Sequence, residues 1–297
     1  MSKKIEGIIT AVVTPFEKNG NIDEAAFRKI INSLIDTGIS GLFPVGSTGE
    51  FFALSMDEKR RLMDIAVEEV NGRVLVMPNA GAVTTRESIE LAKYAQKTGA
   101  DCISVITPYF ISPNQEELYD HFKAICGAIE IPVLAYNNPG RTGGLFLKPS
   151  TVAKLAAEVP NFVGIKDSTG DMSHFLEIIR NSPAEFCAIM GRDTMILSAL
   201  MAGAVGAVAA TANVVPRLVV SIYEEFKAGN IDGAMQCQRR LAPLRLAFGL
   251  GSFPATVKEA MNMLGLPAGR CRSPIQPLTE PARAELRRIM TDMGLLT

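Results

Sequence analysis

Lys166 stands directly after the apolar run Phe162-Val163-Gly164-Ile165, where an ammonium is costly to bury. Desolvation lowers the pKa of such a lysine. A lysine that is partly neutral at physiological pH attacks carbonyls and forms a Schiff base, the entry to class I aldolase chemistry. An ion pair with Asp167, or extension of the side chain to solvent, is the structural alternative for the same residue. Tyr136 ends an apolar run thirty residues earlier, and its phenol suits the proton transfers that carbinolamine formation and dehydration require. Taken alone, it could equally fill a core with its hydroxyl on a backbone carbonyl. Gly46-Ser47-Thr48-Gly49 offers successive backbone N–H groups and two hydroxyls, a nest for a carboxylate or simply a tight turn. Glu50-Phe51 follows where a P-loop needs Lys-Ser/Thr, which disfavours a nucleotide. Arg141 follows the Pro139-Gly140 turn, and its fork suits a second carboxylate unless an acidic side chain claims it.

These residues need elements that bring them together, and the hydrophobic pattern supplies eight strand and helix couplets. Strands are expected over 7–15, 41–45, 74–78, 102–107, 132–136, 162–165, 186–190 and 204–209. The helices that follow them are expected over 23–37, 56–70, 85–98, 115–129, 150–158, 171–180, 194–201 and 216–227, with Ser55 and Ser112 near helix starts. Several strands are apolar on both faces, the mark of a parallel sheet covered by helices. Eight repeats of roughly thirty residues close into a (β/α)8 barrel, the TIM barrel of the α/β class. A doubly wound open sheet would show fewer couplets and a G-x-G-x-x-G turn where Thr14-Pro15-Phe16 stands. Three further helices, near 232–248, 256–264 and 280–293, form a C-terminal extension. The expected division is a barrel over 1–228 and a helical extension over 229–297, with no linker between them.

In such a barrel the chemistry lies at the C-terminal ends of the strands. Those ends carry Thr14, Ser47 and Thr48, Asn79, Tyr109 and Phe110, Tyr136 to Asn138, Lys166 to Ser168, Arg192, and Val208 with Thr211. Other function classes recede. Thirty basic against 31 acidic residues leave no excess charge for a nucleic acid. Five scattered cysteines and two histidines, His121 and His174, both on expected helices, give no zinc pattern and no serine triad. The N-terminal residues lack the apolar run of a signal peptide, and Gly203, Gly206, Asn213 and Pro216 break up the charge-free stretch 194–216, so a cytoplasmic protein is expected.

The motifs Thr14-Pro15-Phe16, Gly46 to Glu50, Thr107-Pro108-Tyr109, Tyr136-Asn137-Asn138-Pro139 and Gly164 to Asp167 span the chain, and together they resemble the dihydrodipicolinate synthase and N-acetylneuraminate lyase family of pyruvate-dependent class I aldolases. The resemblance implies Lys166 as the Schiff-base lysine, Tyr136 as proton shuttle, Ser47 in the relay, the backbone of Ser47 and Thr48 as cradle for the pyruvate carboxylate, and Val208 on the substrate wall. It also implies pyruvate as a covalently bound substrate, no metal or organic cofactor, and a homotetramer or homodimer. Tyr-Asn-x-Pro-x-Arg-Thr-Gly is similar to the synthase branch, in which the arginine, here Arg141, holds the carboxylate of aspartate semialdehyde; Thr194 stands where the lyases use an acidic residue. Two departures follow. Phe110 replaces a relay tyrosine that crosses a subunit interface, and Val83 and Lys59 replace the asparagine and histidine of a lysine-feedback pocket that keeps Glu87 and Tyr109. A paralogue acting on a 2-keto-3-deoxy sugar acid, a neuraminate lyase, and a silent keto-acid sensor are the alternatives that these departures leave.

Overall fold

The computed structural model describes residues 3–297. Eight strands alternate with eight helices: β1 (Gly7–Thr10), α1 (Glu24–Ile35), β2 (Gly41–Leu42), α2 (Met56–Val70), β3 (Leu75–Val76), α3 (Thr85–Thr98), β4 (Ile103–Ile106) and α4 (Gln115–Cys126). The second half runs β5 (Val133–Asn137), α5 (Pro149–Glu158), β6 (Phe162–Asp167), α6 (Met172–Asn181), β7 (Cys187–Met190), α7 (Ile196–Met201), β8 (Gly206–Ala209) and α8 (Pro216–Lys227). All strand pairs are parallel, in the order β3-β2-β1-β8-β7-β6-β5-β4. The ring closes between the ends of that order through an Asn79–Ser104 bridge, in which Ser104 N donates to Pro78 O at 3.0 Å and Ala80 N to Ser104 O at 2.8 Å. The expected barrel is the fold observed.

Regular pairing is shorter than the apolar runs suggest. β2 and β3 hold two residues each, because Pro44 and Pro78 offer no N–H to the ladder beyond them. Single bonds such as Met77 N to Leu42 O, 2.9 Å, carry the curvature onward. Ser55 caps α2 in a reciprocal box with Glu58, as expected, whereas α4 starts on Asn114 rather than near Ser112, because Asn114 accepts from both Glu116 N and Glu117 N. The helices bury one face each. Phe122 of α4, for example, meets the Phe162 ring edge-on at 6.0 Å, and truncating it to alanine would cost about 3–5 kcal/mol.

Helices α9 (Ile231–Ala247), α10 (Ala255–Met263) and α11 (Glu280–Asp292) follow. Among the described residues, no helix is long and apolar enough to cross a membrane.

Candidate active site

Lys166 of β6 and Tyr136 of β5 are register partners, so neighbouring strands deliver both side chains to the same level of the barrel mouth. Lys166 is 4% exposed, and its Nζ lies 3.8 Å from the centroid of the Tyr136 ring and 4.1 Å from that of Phe43. Neither structural alternative for Lys166 is realised. Its neighbour Asp167 points elsewhere, accepting from Thr169 Oγ1 at 2.6 Å and lying 3.8 Å from His174 Nε2. Burial holds the Lys166 ammonium below the usual lysine range, against the opposing pull of Tyr136 and Asp193. For Tyr136, burial pushes the phenol up, but the Lys166 charge and hydrogen bonds with Ser47 and Asn138 outweigh it and bring the group down. Both groups are thus held below their ordinary values, side by side at the barrel mouth.

The Tyr136 hydroxyl shares a 3.4 Å hydrogen bond with Ser47 Oγ and accepts one from Asn138 Nδ2 at 2.7 Å. Ser47 and Thr48 are buried in the turn after β2, and among the described residues nothing accepts from their backbone N–H groups. Two left-handed non-glycine residues, Val45 at φ +59° and Glu50 at φ +56°, bracket this turn. Such backbone costs on the order of 1–3 kcal/mol per residue and persists where the surroundings enforce it. They do so here: Thr14 Oγ1 donates to Gly49 O at 2.8 Å, and a Cβ on Gly46 would fall 2.4 Å from the Phe43 ring. The outcome is a fixed pair of donors that fits a carboxylate.

Arg141 sits on the loop after β5. Asn137 anchors that loop at two points, donating to Leu147 O at 3.1 Å and accepting from Leu147 N at 2.9 Å. Among the described residues no carboxylate claims the guanidinium, which stacks over the Phe253 ring at 5.3 Å. Lys166, Tyr136, Ser47, Thr48, Arg141 and Val208 all line one cleft at the C-terminal end of the barrel, enclosing about 100 Å3 of solvent space. The six residues expected to act on substrate are therefore brought together. Phe110 stands apart from this cleft, 98% exposed and at φ +73°.

Sequence reasoning missed several neighbours. Asn138 was visible only as part of a motif, yet it orients the phenol. Asp193 and Arg245 also line the cleft, beside Arg192, which the strand-end reading had named. Asp193 Oδ2 accepts from Thr211 N at 2.7 Å and Thr211 Oγ1 at 2.6 Å, so Thr211 is a support rather than a wall. At the lysine-feedback positions, Lys59 is buried, and burial lowers its ammonium against the pull of Glu87. Among the described residues, no cluster of three or more His, Cys, Asp or Glu side chains is placed to hold a metal ion.

The dihydrodipicolinate synthetase family model matches residues 4–293. A 4-hydroxy-tetrahydrodipicolinate synthase of Acidiphilium cryptum is 42% identical over 290 residues, covering 98% of this chain and 99% of that protein. The solved dihydrodipicolinate synthase of Thermotoga maritima superposes with a TM-score of 0.94 at 33% identity, over 98% of this chain and 99% of that one. YagE, an E. coli K12 prophage protein solved in complex with pyruvate, gives a TM-score of 0.95 at 31% identity, over 98% and 99% of the two chains. With the family motifs placed on the strand ends of an eight-stranded barrel, the chain belongs to the dihydrodipicolinate synthetase family of Schiff-base-forming lyases and synthases.

Proposed function

We propose that this enzyme is a 4-hydroxy-tetrahydrodipicolinate synthase that condenses pyruvate with aspartate semialdehyde. The observation that carries this reading is the buried Lys166 amine held 3.8 Å from the Tyr136 ring, with free N–H groups on one side of the cleft and an unpaired arginine on the other. Neutral Lys166 attacks the ketone carbon of pyruvate while its carboxylate sits on the Ser47 and Thr48 N–H groups. Tyr136 delivers a proton to the carbinolamine oxygen, which leaves as water and gives the imine. Loss of a methyl proton turns the imine into an enamine, whose carbon bonds to the aldehyde carbon of the second substrate. Arg141 holds that substrate by its carboxylate, and attack of its amine on the imine carbon closes the ring and frees Lys166. The imine itself activates the substrate, so the sequence of steps calls for no metal or organic cofactor.

Ser47 links the Tyr136 hydroxyl onward, a part that Phe110 cannot take because it has no exchangeable proton. The exposed Phe110, Ile111 and Phe52 support burial against a second copy, in a homodimer or homotetramer, which size-exclusion chromatography with light scattering would measure. Cytoplasmic, water-soluble substrates fit this chemistry.

Borohydride reduction in the presence of pyruvate tests the reading. It should add an irreversible mass to Lys166, and none to Lys166→Ala. Pyruvate consumption should then depend on L-aspartate β-semialdehyde, and Arg141→Ala should raise the aldehyde KM by about tenfold or more while leaving the pyruvate adduct intact. A Lys166→Ala protein with full turnover would overturn the proposal.

A further inference from the structure

The cleft carries more positive charge than this reaction uses. Arg192 follows β7, and its guanidinium lies against Gly170, where a Cβ would come within 3.1 Å of Nε. That Nε is buried and has no hydrogen-bond partner, and among the described residues no carboxylate lies within 4.0 Å of Arg192. Arg245, reaching over from α9 and 24% exposed at its side chain, has among the described residues one carboxylate neighbour, Asp193 Oδ1 at 3.9 Å, while the other oxygen of Asp193 is held by Thr211. Three arginines therefore share the cleft with a single carboxylate. One pyruvate carboxylate goes to the turn after β2 and one acceptor carboxylate to Arg141, which leaves the forks of Arg192 and Arg245 unused. Arg192 is half-buried and its Nε–H has no acceptor, a cost that a ligand in the cleft offsets by supplying one.

We propose that Arg192 and Arg245 form a second oxyanion subsite, and that the acceptor half of the cleft therefore takes ligands with two anionic groups, one on Arg141 and one on this pair. This goes beyond the acceptor named above and rests only on the Schiff-base part of that reading, since it assumes that pyruvate occupies Lys166. For an aldehyde of this class the chemistry balances without a further reactant: the enamine carbon bonds to the aldehyde carbon, the aldehyde oxygen takes up a proton, and water hydrolyses the imine to release a 4-hydroxy-2-oxo acid.

The subsite is read by titration calorimetry in saturating pyruvate, with glutarate against butyrate as probes. The expected result is glutarate binding at least about tenfold tighter than butyrate, the gain from one more charge-assisted contact. Arg192→Gln should bring the ratio close to one, Arg192→Lys should keep part of it, and Arg245→Gln should reduce it. Borohydride trapping of pyruvate on Lys166 should be unchanged in all three variants. A third probe, 3-phosphonopropionate, separates a carboxylate subsite from one that prefers phosphate, and preference for either over butyrate supports the proposal. Equal binding of all probes by the wild type, or a ratio that survives Arg192→Gln, overturns it. Failure of wild-type trapping would instead overturn the Schiff-base reading on which the subsite depends.

Discussion

Replacing Lys258 with methionine isolates the contact by which α10 holds the carboxylate-binding turn. Lys258 is 1% exposed, and its Nζ lies 2.5 Å from Oε1 of the fully buried Glu50, the residue that ends the turn bearing Ser47 and Thr48. The same ammonium donates to Arg270 O at 2.9 Å and lies 4.4 Å from the Phe16 ring centroid, while Glu50 Oε2 accepts from Arg272 N at 2.9 Å. Methionine keeps the linear stem and removes the charge. Glu50 is then a buried carboxylate with one N–H donor left, and removing one partner of such a pair costs about 3–5 kcal/mol. Urea unfolding followed by circular dichroism should show a loss of that size. In the Glu50→Gln, Lys258→Met double variant no net charge remains buried, so the pair should couple, with the second change costing less than it does alone by about 1–3 kcal/mol. Pyruvate KM should rise in the single variant, because the turn loses the tether that enforces its left-handed Glu50. A loss below about 1 kcal/mol, or costs that simply add, would refute the reasoning.

Three other outcomes follow from the same structure. The rate of borohydride-trapped imine formation should rise with pH around a midpoint below the ordinary lysine value of about 10.4, and Tyr136→Phe should move that midpoint lower still, because Tyr136 is the main group opposing the effect of burial on Lys166; an upward move would contradict this. His121 is pushed down to about 4 from 6.5 by burial, so the unfolded chain binds its proton first; stability present above pH 6.5 should fall by roughly 3 kcal/mol as pH drops to 4, and His121→Gln should flatten that slope in denaturation measured across the window. Lys59 already supplies a positive charge that Glu87 attracts, so L-lysine at millimolar concentration should leave the rate of pyruvate consumption unchanged, and a halving of that rate would count against this.

How far the sequence discloses the site depends on whether a contact is local. Lys166 and Tyr136 were legible because a charged or phenolic group at the end of a run that is apolar on both faces has few places to go, and the spacing of the couplets put the two on adjacent strands. The Ser47–Thr48 nest was legible for a similar reason, through its flanking glycines. What stayed hidden joins distant segments. Nothing in the pattern around Glu50 announces Lys258, and His174 reads as an ordinary helical residue although it lies 3.8 Å from Asp167, the residue after the reactive lysine. Strand lengths were overestimated where proline interrupts the ladder, since apolarity records burial rather than hydrogen bonding.

The C-terminal helices are more than a cover for the barrel, because they reach three walls of the cleft. Lys258 of α10 fixes Glu50 and so the pyruvate side. Gln238 of α9 accepts from Leu197 N at 3.1 Å and donates to Asp193 O at 2.9 Å, which sets the backbone after β7. The residues between α9 and α10 place Phe253 under Arg141, and α9 itself supplies Arg245. The strands alone determine how Lys166 meets Tyr136, whereas the acceptor side is assembled largely from these later residues. Substitutions at Phe253 or Gln238 should therefore change the KM for the aldehyde while leaving pyruvate trapping on Lys166 nearly intact. A parallel loss of trapping in Phe253→Leu would place the division between the two halves of the site elsewhere.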